Sequence, residues 1–296
     1  MLDIQHLSKT FGPYQALTDL TLRLVPGEVY GLLGPNGAGK TTTINVLSGL
    51  LQPDTGQVLI AGELASEKTK TRLGIMPQQN LLYQSLTCGE NLAFFAQIYG
   101  LPKSLRSKRI MACLQAVNLE DRVDSVVGQL SGGMQRRLSL AVAIVHGPKL
   151  VVLDEPTTGL DIEARYGVWN LIRQLQQDGV TVLLTTHLLD EAERLCDRIG
   201  FLKQGHLLAQ GSLNELRKRI PAAEVVTLQT TDEAAAIERA KSHGFTLRRY
   251  DNHLAFWIPQ RLELQELLHH FDGIPLDSIA RSPVTLEHIY LEVTRP

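Results

Sequence analysis

From residue 1 to about residue 219, short and nearly continuous apolar runs alternate with longer segments whose apolar positions recur at helical spacing. Such apolar runs are typical of parallel strands that are buried on both faces. Three of the runs, at residues 29–33, 150–153 and 180–184, end beside Gly-rich or polar residues. Ligands of open α/β sheets bind beyond the carboxyl ends of the strands. The pattern therefore predicts an α/β fold with a mainly parallel sheet and one pocket at these strand ends.

A helical insert interrupts the alternation. Residues 87–99 and 104–117 carry apolar positions at helical spacing, and Gly100-Leu101-Pro102 separates the two segments. Gly and Pro interrupt helices, so two helices are expected here. We expect them to belong to a helical subdomain that spans about residues 80–145.

A second domain is predicted after Pro221, because proline cannot continue the helix expected at residues 213–220. The expected elements are a strand at 225–229, a helix at 232–243, strands at 246–250 and 254–258 joined at Asp251-Asn252-His253, a helix at 262–271 and a strand at 276–280. This β-α-β-β-α-β order is the split βαβ arrangement. The sequence thus predicts a large domain at residues 1–220 and a small accessory domain at residues 221–296.

The composition and charge of the chain limit the kinds of molecule that it is expected to bind. Hydrophobic residues make up 44% and charged residues 20% of the chain, as in ordinary globular proteins. The formal net charge of -2 provides no basic field for nucleic acid, so no nucleic-acid partner is expected. The basic runs at Arg136-Arg137 and at residues 217–219 are interpreted as solvated faces.

Apolar runs and the N-terminus bear on location. No run approaches the roughly 20 apolar residues that a membrane-spanning helix needs. The N-terminus lacks the basic and apolar regions of a secretory signal. We expect a cytoplasmic protein that would need a partner for any role at a membrane.

The strongest chemical signal is a phosphate-binding loop between the strand at 29–33 and a helix expected at 40–47. It fits the pattern G-x-x-x-x-G-K-[ST], in which backbone N–H groups surround phosphates, the lysine reaches the β and γ phosphates and the hydroxyl of Thr41 ligates Mg²⁺. The predicted nucleotide-binding residues are Gly34, Pro35, Asn36, Gly37, Ala38, Gly39, Lys40, Thr41 and Thr42.

Two adjacent carboxylates follow the strand at 150–153. Buried carboxylates are costly unless they are compensated, and a metal ion offers that compensation. We therefore predict Asp154 as a Mg²⁺ ligand and Glu155 as the group that orients or deprotonates the attacking water. Together with the loop, they predict nucleotide hydrolysis.

A third motif indicates the family. Leu130-Ser131-Gly132-Gly133-Met134-Gln135, just before a helical run, resembles the signature sequence of ATP-binding-cassette (ABC) proteins. The resemblance covers about the first 220 residues. It implies a P-loop cassette with an antiparallel N-terminal β part, and ATP with Mg²⁺ as cofactors. It also implies that two cassettes pack head to tail, so that Ser131, Gly132 and Gly133 close the nucleotide site of the other cassette.

Further positions match the family pattern. Gln78 resembles the glutamine that senses Mg²⁺ and the γ-phosphate, although the adjacent Gln79 is an alternative. His187 resembles the switch histidine that contacts the γ-phosphate. Lys40, Gln78, Glu155 and His187 thus form the expected catalytic set. Gly159-Leu160-Asp161 resembles the loop where two cassettes meet.

An aromatic residue is expected to stack on adenine. Phe11 occupies the position where the family carries this aromatic, and Tyr14 is the competing candidate.

Met134 and the tail at residues 285–292 resemble the ABC-2 type exporter group, which exports drugs, polysaccharides or lipids. This implies an ATPase subunit on the cytoplasmic face of the membrane that works with an integral membrane permease. The permease is expected to dock near Gln78 and residues 79–100, and the second cassette is a copy of this chain or a different one. The alternative is a soluble ABC-type ATPase that acts on nucleic acid or the ribosome. Its relatives hold two cassettes or long coiled coils, whereas this chain has one phosphate loop and no sustained heptads.

Overall fold

The structure is a computed structural model that describes residues 1–250 and 253–295. The chain divides into two compact units, Met1–Ser212 and Leu213–Pro296. The division lies before the helix Leu213–Arg217, whereas the sequence predicted it after that helix. Arg217 donates from Nε to the carbonyl of Val284 at 2.9 Å, which ties this helix to the second unit.

The strands of the first unit are β1 Leu2–Phe11, β2 Tyr14–Leu24, β3 Val29–Leu33, β4 Thr55–Ile60, β5 Glu63–Leu64, β6 Leu73–Met76, β7 Leu150–Asp154, β8 Thr181–Thr186, β9 Arg198–Lys203 and β10 His206–Gly211. Six of them form the central sheet in the order β10-β9-β3-β8-β7-β6. All pairs in this sheet are parallel except β9 with β10. The expected mainly parallel sheet is confirmed.

Both faces of the central sheet are buried, which explains the continuous apolar runs. In β7, Val151 and Leu153 pack in the core on one side, while Leu150 and Val152 pack in the core on the other side. Successive side chains of a strand point to opposite faces, so every position of such a strand must be apolar.

An antiparallel sheet of order β2-β1-β4-β5 covers one side of the central sheet. β1 and β2 largely alternate buried apolar residues, mostly leucines, with polar residues, as expected of strands with one solvated face. The antiparallel N-terminal part implied by the family resemblance is therefore present.

The α-helices of the first unit are α1 Lys40–Leu47, α2 Glu67–Lys70, α3 Cys88–Ile98, α4 Lys103–Ala116, α5 Gly132–Ile144, α6 Ile162–Gln177 and α7 Leu189–Leu195. The two helices expected in the insert are α3 and α4, which pack with α5 in one apolar core. α3 begins at a capping box, in which the hydroxyl of Thr87 accepts from the N–H of Glu90 and the Glu90 carboxylate accepts from the N–H of Thr87.

The second unit contains α8 Leu213–Arg217, β11 Glu224–Thr230, α9 Glu233–Ser242, β12 Thr246–Tyr250, β13 His253–Ile258, α10 Leu264–His269, β14 Leu276–Pro283 and α11 Leu286–Val293. Its antiparallel sheet has the order β12-β13-β11-β14. The split βαβ arrangement is confirmed. Of the predicted hairpin joint, Asp251 and Asn252 lie outside the described residues.

Within the described residues, every helix is too short or too polar to span a bilayer.

Candidate active site

The phosphate loop lies between Leu33, the last residue of β3, and Lys40, the first residue of α1. Two of its glycines are required by geometry. A Cβ on Gly34 would lie 2.2 Å from the carbonyl oxygen of Leu202, and Gly39 has a φ of 110°. Only glycine adopts that φ without strain. These glycines hold the loop against β9 and turn it sharply into α1.

Lys40 is buried, and its Nζ donates to the carbonyls of Gly34 at 2.6 Å and Pro35 at 3.2 Å. Burial lowers the pKa of Lys40, while the nearby carboxylates of Glu155 and Asp154 act in the opposite direction. The ammonium therefore lies inside the loop, where it can reach phosphate oxygens.

Asp154 ends β7 and is buried with only 3% of its surface exposed. Its Oδ1 accepts a hydrogen bond from the hydroxyl of Thr185 on β8 at 2.5 Å. Burial raises the pKa of Asp154, and the neighbouring Glu155 raises it further. The sequence analysis did not identify Thr185, because its strand becomes the neighbour of Asp154 only in the folded sheet.

Glu155 is the centre of the site. Its φ of 49° is left-handed, and its N–H donates to the carbonyl of Thr185 at 2.9 Å. The buried carboxylate contacts four side chains: Oε1 lies 3.9 Å from Nζ of Lys40 and 3.2 Å from Nδ1 of His187, and Oε2 accepts from Nε2 of Gln78 at 3.3 Å and from the hydroxyl of Thr158 at 3.2 Å. The four residues of the expected catalytic set are thus brought together.

A cavity of about 310 Å³ lies over the phosphate loop. Its walls are Tyr14, Ala16, Asn36, Gly37, Ala38, Gly39, Lys40, Thr41, Thr42, Gln78 and Glu155. Gly34 and Pro35 are beneath it as acceptors for Lys40. Gln79 is not a wall residue, and the contact with Glu155 is made by Gln78.

The two aromatic candidates face each other across the β1–β2 hairpin. Phe11 is 44% exposed and Tyr14 is 53% exposed, so both rings can accept a base. The hydroxyl of Tyr14 donates to the carbonyl of Gly37 at 2.9 Å, which fixes Tyr14 to the phosphate loop. The choice between them stays a prediction.

Ser131 begins α5 as its N-cap and accepts from the N–H of Met134 at 3.3 Å. Ser131, Gly132 and Gly133 are not wall residues of the phosphate-loop cavity. Gly132 and Ser131 are exposed at the helix start. Within one chain, this second helix start is therefore separate from the first.

Comparisons with known proteins agree with this geometry. The family model described as ABC transporter matches residues 17–158. The Nod factor export ATP-binding protein I of Burkholderia orbicola (strain AU 1054) is 35% identical over 296 residues, which covers 99% of this chain and 96% of that protein. The chain belongs to the ABC transporter family. It is an ATP-binding subunit of that family.

Three further proteins support the assignment. The linearmycin resistance ATP-binding protein LnrL of Bacillus subtilis (strain 168) is 38% identical over 77% of this chain and 74% of its own length. A solved ATP-binding subunit of an ABC transporter has a TM-score of 0.69 and 32% identity over 74% of this chain and 92% of its own. A dimeric post-hydrolysis cassette, MJ0796 bound to ADP and Pi, has a TM-score of 0.66 and 29% identity over 72% and 99%. The cassette is therefore an ATPase that energises a transporter.

Oxygen donors near the loop fit a magnesium ion. Asp154 offers a carboxylate, Thr41 a hydroxyl and Gln78 an amide oxygen, which are the hard ligands that Mg²⁺ takes. In the described part of the chain, no cluster of three or more His, Cys, Asp or Glu side chains could hold a metal.

Arg136 corrects the sequence analysis. It was expected on a solvated face, but its side chain is only 5% exposed. Its guanidinium donates to the main-chain carbonyls of Gln78 and Glu155. A run of charged residues in a sequence does not reveal their hydrogen-bond partners. The partners of Arg136 belong to two segments that are distant from it in the sequence.

Proposed function

We propose that this cassette powers an ABC-2 type exporter for a drug, a polysaccharide or a lipid. The support is the relative named for Nod factor export, which this chain matches over 96% of that protein's length, including the second unit. The relative named for linearmycin resistance points to the same group. The chain would act on the cytoplasmic face of the membrane through its permease.

The convergence of side chains on Glu155 carries the proposed mechanism. Glu155 orients the attacking water and accepts its proton, because its carboxylate is buried beside Lys40 and borders the phosphate-loop cavity. Lys40 and the loop N–H groups bind the β and γ phosphates. His187 and Gln78, which contact the two oxygens of Glu155, contact the γ-phosphate and keep the carboxylate aimed at it.

Asp154, Thr41 and Gln78 would hold Mg²⁺ together with phosphate oxygens. When bound, this ion neutralises charge that develops on the phosphates. The hydroxyl of Thr185 keeps one oxygen of Asp154 in a fixed direction.

A second cassette completes the site in this proposal. The helix start at Ser131, Gly132 and Gly133 would bind the triphosphate held by the other cassette, and Asp161 would lie at the junction. Ser131 and Asp161 are exposed at the starts of α5 and α6. Because both residues are exposed, another cassette can contact them. This exposure and the dimeric solved relative support a head-to-tail pair of identical or different cassettes.

The permease would dock beside the Gln78 loop and α3. An apolar cavity of about 310 Å³ opens there, with walls that include Ile75, Pro77, Leu82 and Phe95. Leu81, also a wall of this cavity, is 67% exposed, and Ile98 at the end of α3 is 61% exposed. Large exposed apolar side chains that cluster in this way mark interaction sites.

Site-specific photo-crosslinking tests both contacts in membranes of cells that produce the full transporter. A photoreactive residue at Leu81 should crosslink to an integral membrane protein, whereas one at Ile162, which is 73% exposed beside Asp161, should crosslink to a second cassette. If the probe at Leu81 captured only ribosomal or nucleic-acid-bound components, the soluble ATPase alternative would replace this proposal.

A further inference from the structure

The buried guanidinium of Arg136 joins the two segments that carry Gln78 and Glu155. Arg136 lies in α5, five positions after Ser131. It makes six hydrogen bonds: Nε donates to Pro156 O at 3.2 Å, Nη1 to Pro77 O at 2.8 Å, Gln78 O at 2.7 Å and Asn80 Oδ1 at 3.4 Å, and Nη2 to Asp154 O at 2.6 Å and Glu155 O at 2.7 Å.

Five of these six acceptors are main-chain carbonyls, and they divide between two turns. One turn follows β6 and carries Gln78; the other follows β7 and carries Glu155. The two side chains meet at 3.3 Å from Nε2 to Oε2. Because the guanidinium binds the main chain of both turns, it sets how far apart the turns lie.

Arginine is the side chain suited to this arrangement. Its planar guanidinium presents five N–H donors in a fixed fork, whereas a lysine ammonium presents three donors from one point. Removing it would leave several carbonyls without their donor, including those of the buried Asp154 and Glu155. A lysine at this position could reach one turn well but not both.

We propose that Arg136 is a positioning residue for ATP hydrolysis. It holds the Gln78 amide against the Glu155 carboxylate, and it transmits the position of the α5 start to that pair. The second effect rests on the proposed role of Ser131 at the nucleotide of the other cassette. A shift of α5 when Ser131 engages phosphate would move the guanidinium, and with it both turns.

Arg137 provides a matched control. It is the next residue on α5, and its Nη1 also donates to two main-chain carbonyls, those of Val117 at 2.9 Å and Asn118 at 3.2 Å. Those acceptors lie after α4, in the insert, and neither belongs to the turns that carry Gln78 and Glu155. Substitution of Arg137 therefore removes two main-chain links of the same helix without touching the site.

The experiment compares Arg136→Lys, Arg136→Gln, Arg137→Lys, Arg137→Gln and Glu155→Gln in the full chain. Steady-state kinetics give kcat, KM for ATP and the Hill coefficient, and thermal unfolding gives Tm. Arg136→Lys and Arg136→Gln should lower kcat about 10- to 100-fold, as expected when catalytic groups are misplaced by about 1 Å. KM should stay within about threefold of the wild-type value, because the phosphate loop is intact. The Hill coefficient should fall towards 1, because the variants no longer transmit the position of the α5 start to Gln78 and Glu155. Both Arg137 variants should keep kcat within about threefold of the wild type.

Three outcomes separate the possibilities. Equal kcat for the Arg136 and Arg137 variants, at matched Tm, would overturn the positioning role. If Arg136→Gln does not fold, Arg136→Lys decides, because it keeps the charge: wild-type kcat in that variant would also overturn the role. Wild-type turnover in Glu155→Gln would instead contradict the proposed active site itself. If Glu155→Gln is inactive and Arg136→Lys is fully active, the active site stands and only the positioning role of Arg136 is contradicted.

Discussion

Lys40 and Glu155 form a buried pair, with Nζ 3.9 Å from Oε1 and each side chain 6% exposed. Lys40 begins α1 and Glu155 follows β7, so the pair joins the start of this helix to the end of that strand. Burial disfavours each charge alone, and their attraction offsets part of that cost. Removing the charge of Lys40 or of Glu155 therefore leaves the remaining charge buried without its partner.

The first prediction concerns Glu155→Gln. This change keeps the size of the side chain and removes the proton acceptor, so kcat should fall by about 10²–10⁴-fold while ATP still binds. Single-turnover hydrolysis and equilibrium ATP binding measure the two effects. Glu238→Gln, on an exposed position of α9 in the second unit, is the control and should retain wild-type kcat. A Glu155→Gln enzyme with normal turnover would show that another group activates the water.

The second prediction concerns Lys40→Ala. The change removes the cation that the phosphate loop encloses and leaves the carbonyls of Gly34 and Pro35 without their donor. Turnover should fall at least about 100-fold, since this ammonium would act on phosphate charge in a site with little water. Isothermal titration with ATP and steady-state kinetics give the result. Lys103→Ala, at the exposed start of α4, should leave both unchanged; an equal loss in the two variants would contradict the assignment.

The third prediction separates the two aromatic candidates. Phe11→Ala should weaken ATP binding by roughly 1–3 kcal/mol, the value of one stacked base, and should leave the binding of inorganic tripolyphosphate unchanged. Tyr14→Phe removes only the hydrogen bond to Gly37 and should cost about 1 kcal/mol for both ligands. Competition binding against a fluorescent nucleotide measures all four values. The reverse pattern, with Tyr14→Ala selectively weakening ATP, would assign the base platform to Tyr14.

The fourth prediction is a pH dependence of stability. Burial lowers the pKa of His146 to about 4, and its ring stacks on Tyr99 at 3.8 Å and contacts the carbonyl of Leu73 at 3.2 Å through Nε2. The folded-state pKa lies below the ordinary value near 6.5, so the unfolded chain binds more protons between these values. The contribution of neutral His146 is therefore complete above about pH 6.5 and is lost as the pH falls towards 4.

Urea unfolding at pH 7.5 and pH 5 measures this loss. His146→Gln keeps an N–H donor for Leu73 but does not titrate, so its free energy of unfolding should fall less between the two pH values, by roughly 1 kcal/mol. His206→Gln, on an exposed position of β10, should behave like the wild type. Parallel loss in the wild type and His146→Gln would exclude this histidine as the cause.

Much of the fold follows from local signals in the sequence. The bounds of β3 and α1 agree with the sequence prediction, because the Gly-rich loop separates a fully apolar run from a helical one. β8 extends to Thr186, beyond the predicted end at residue 184, because its last threonines are buried and hydrogen-bonded. The pattern of apolar residues alone cannot predict that a polar residue belongs to a buried strand when its hydrogen-bond partner lies on another strand.

The site was less predictable where contacts are made through the main chain. The roles of Lys40 and Glu155 could be predicted because each belongs to a motif that is recognised in the sequence by its residue types and their spacing. Arg136 instead binds carbonyls, which every residue has, so no residue type at positions 77 or 154–156 marks the partner. Its burial could be found only from the folded chain.

The strand order of the central sheet has a consequence for biosynthesis. β8 lies between β3 and β7, with Leu33 beside Thr186 and Asp154 beside Thr185. A ribosome therefore releases the phosphate loop and both carboxylates well before the strand that separates and aligns them. Until residues 181–186 leave the exit tunnel, the nascent chain exposes the phosphate loop, Asp154 and Glu155 without the strand that holds them in register.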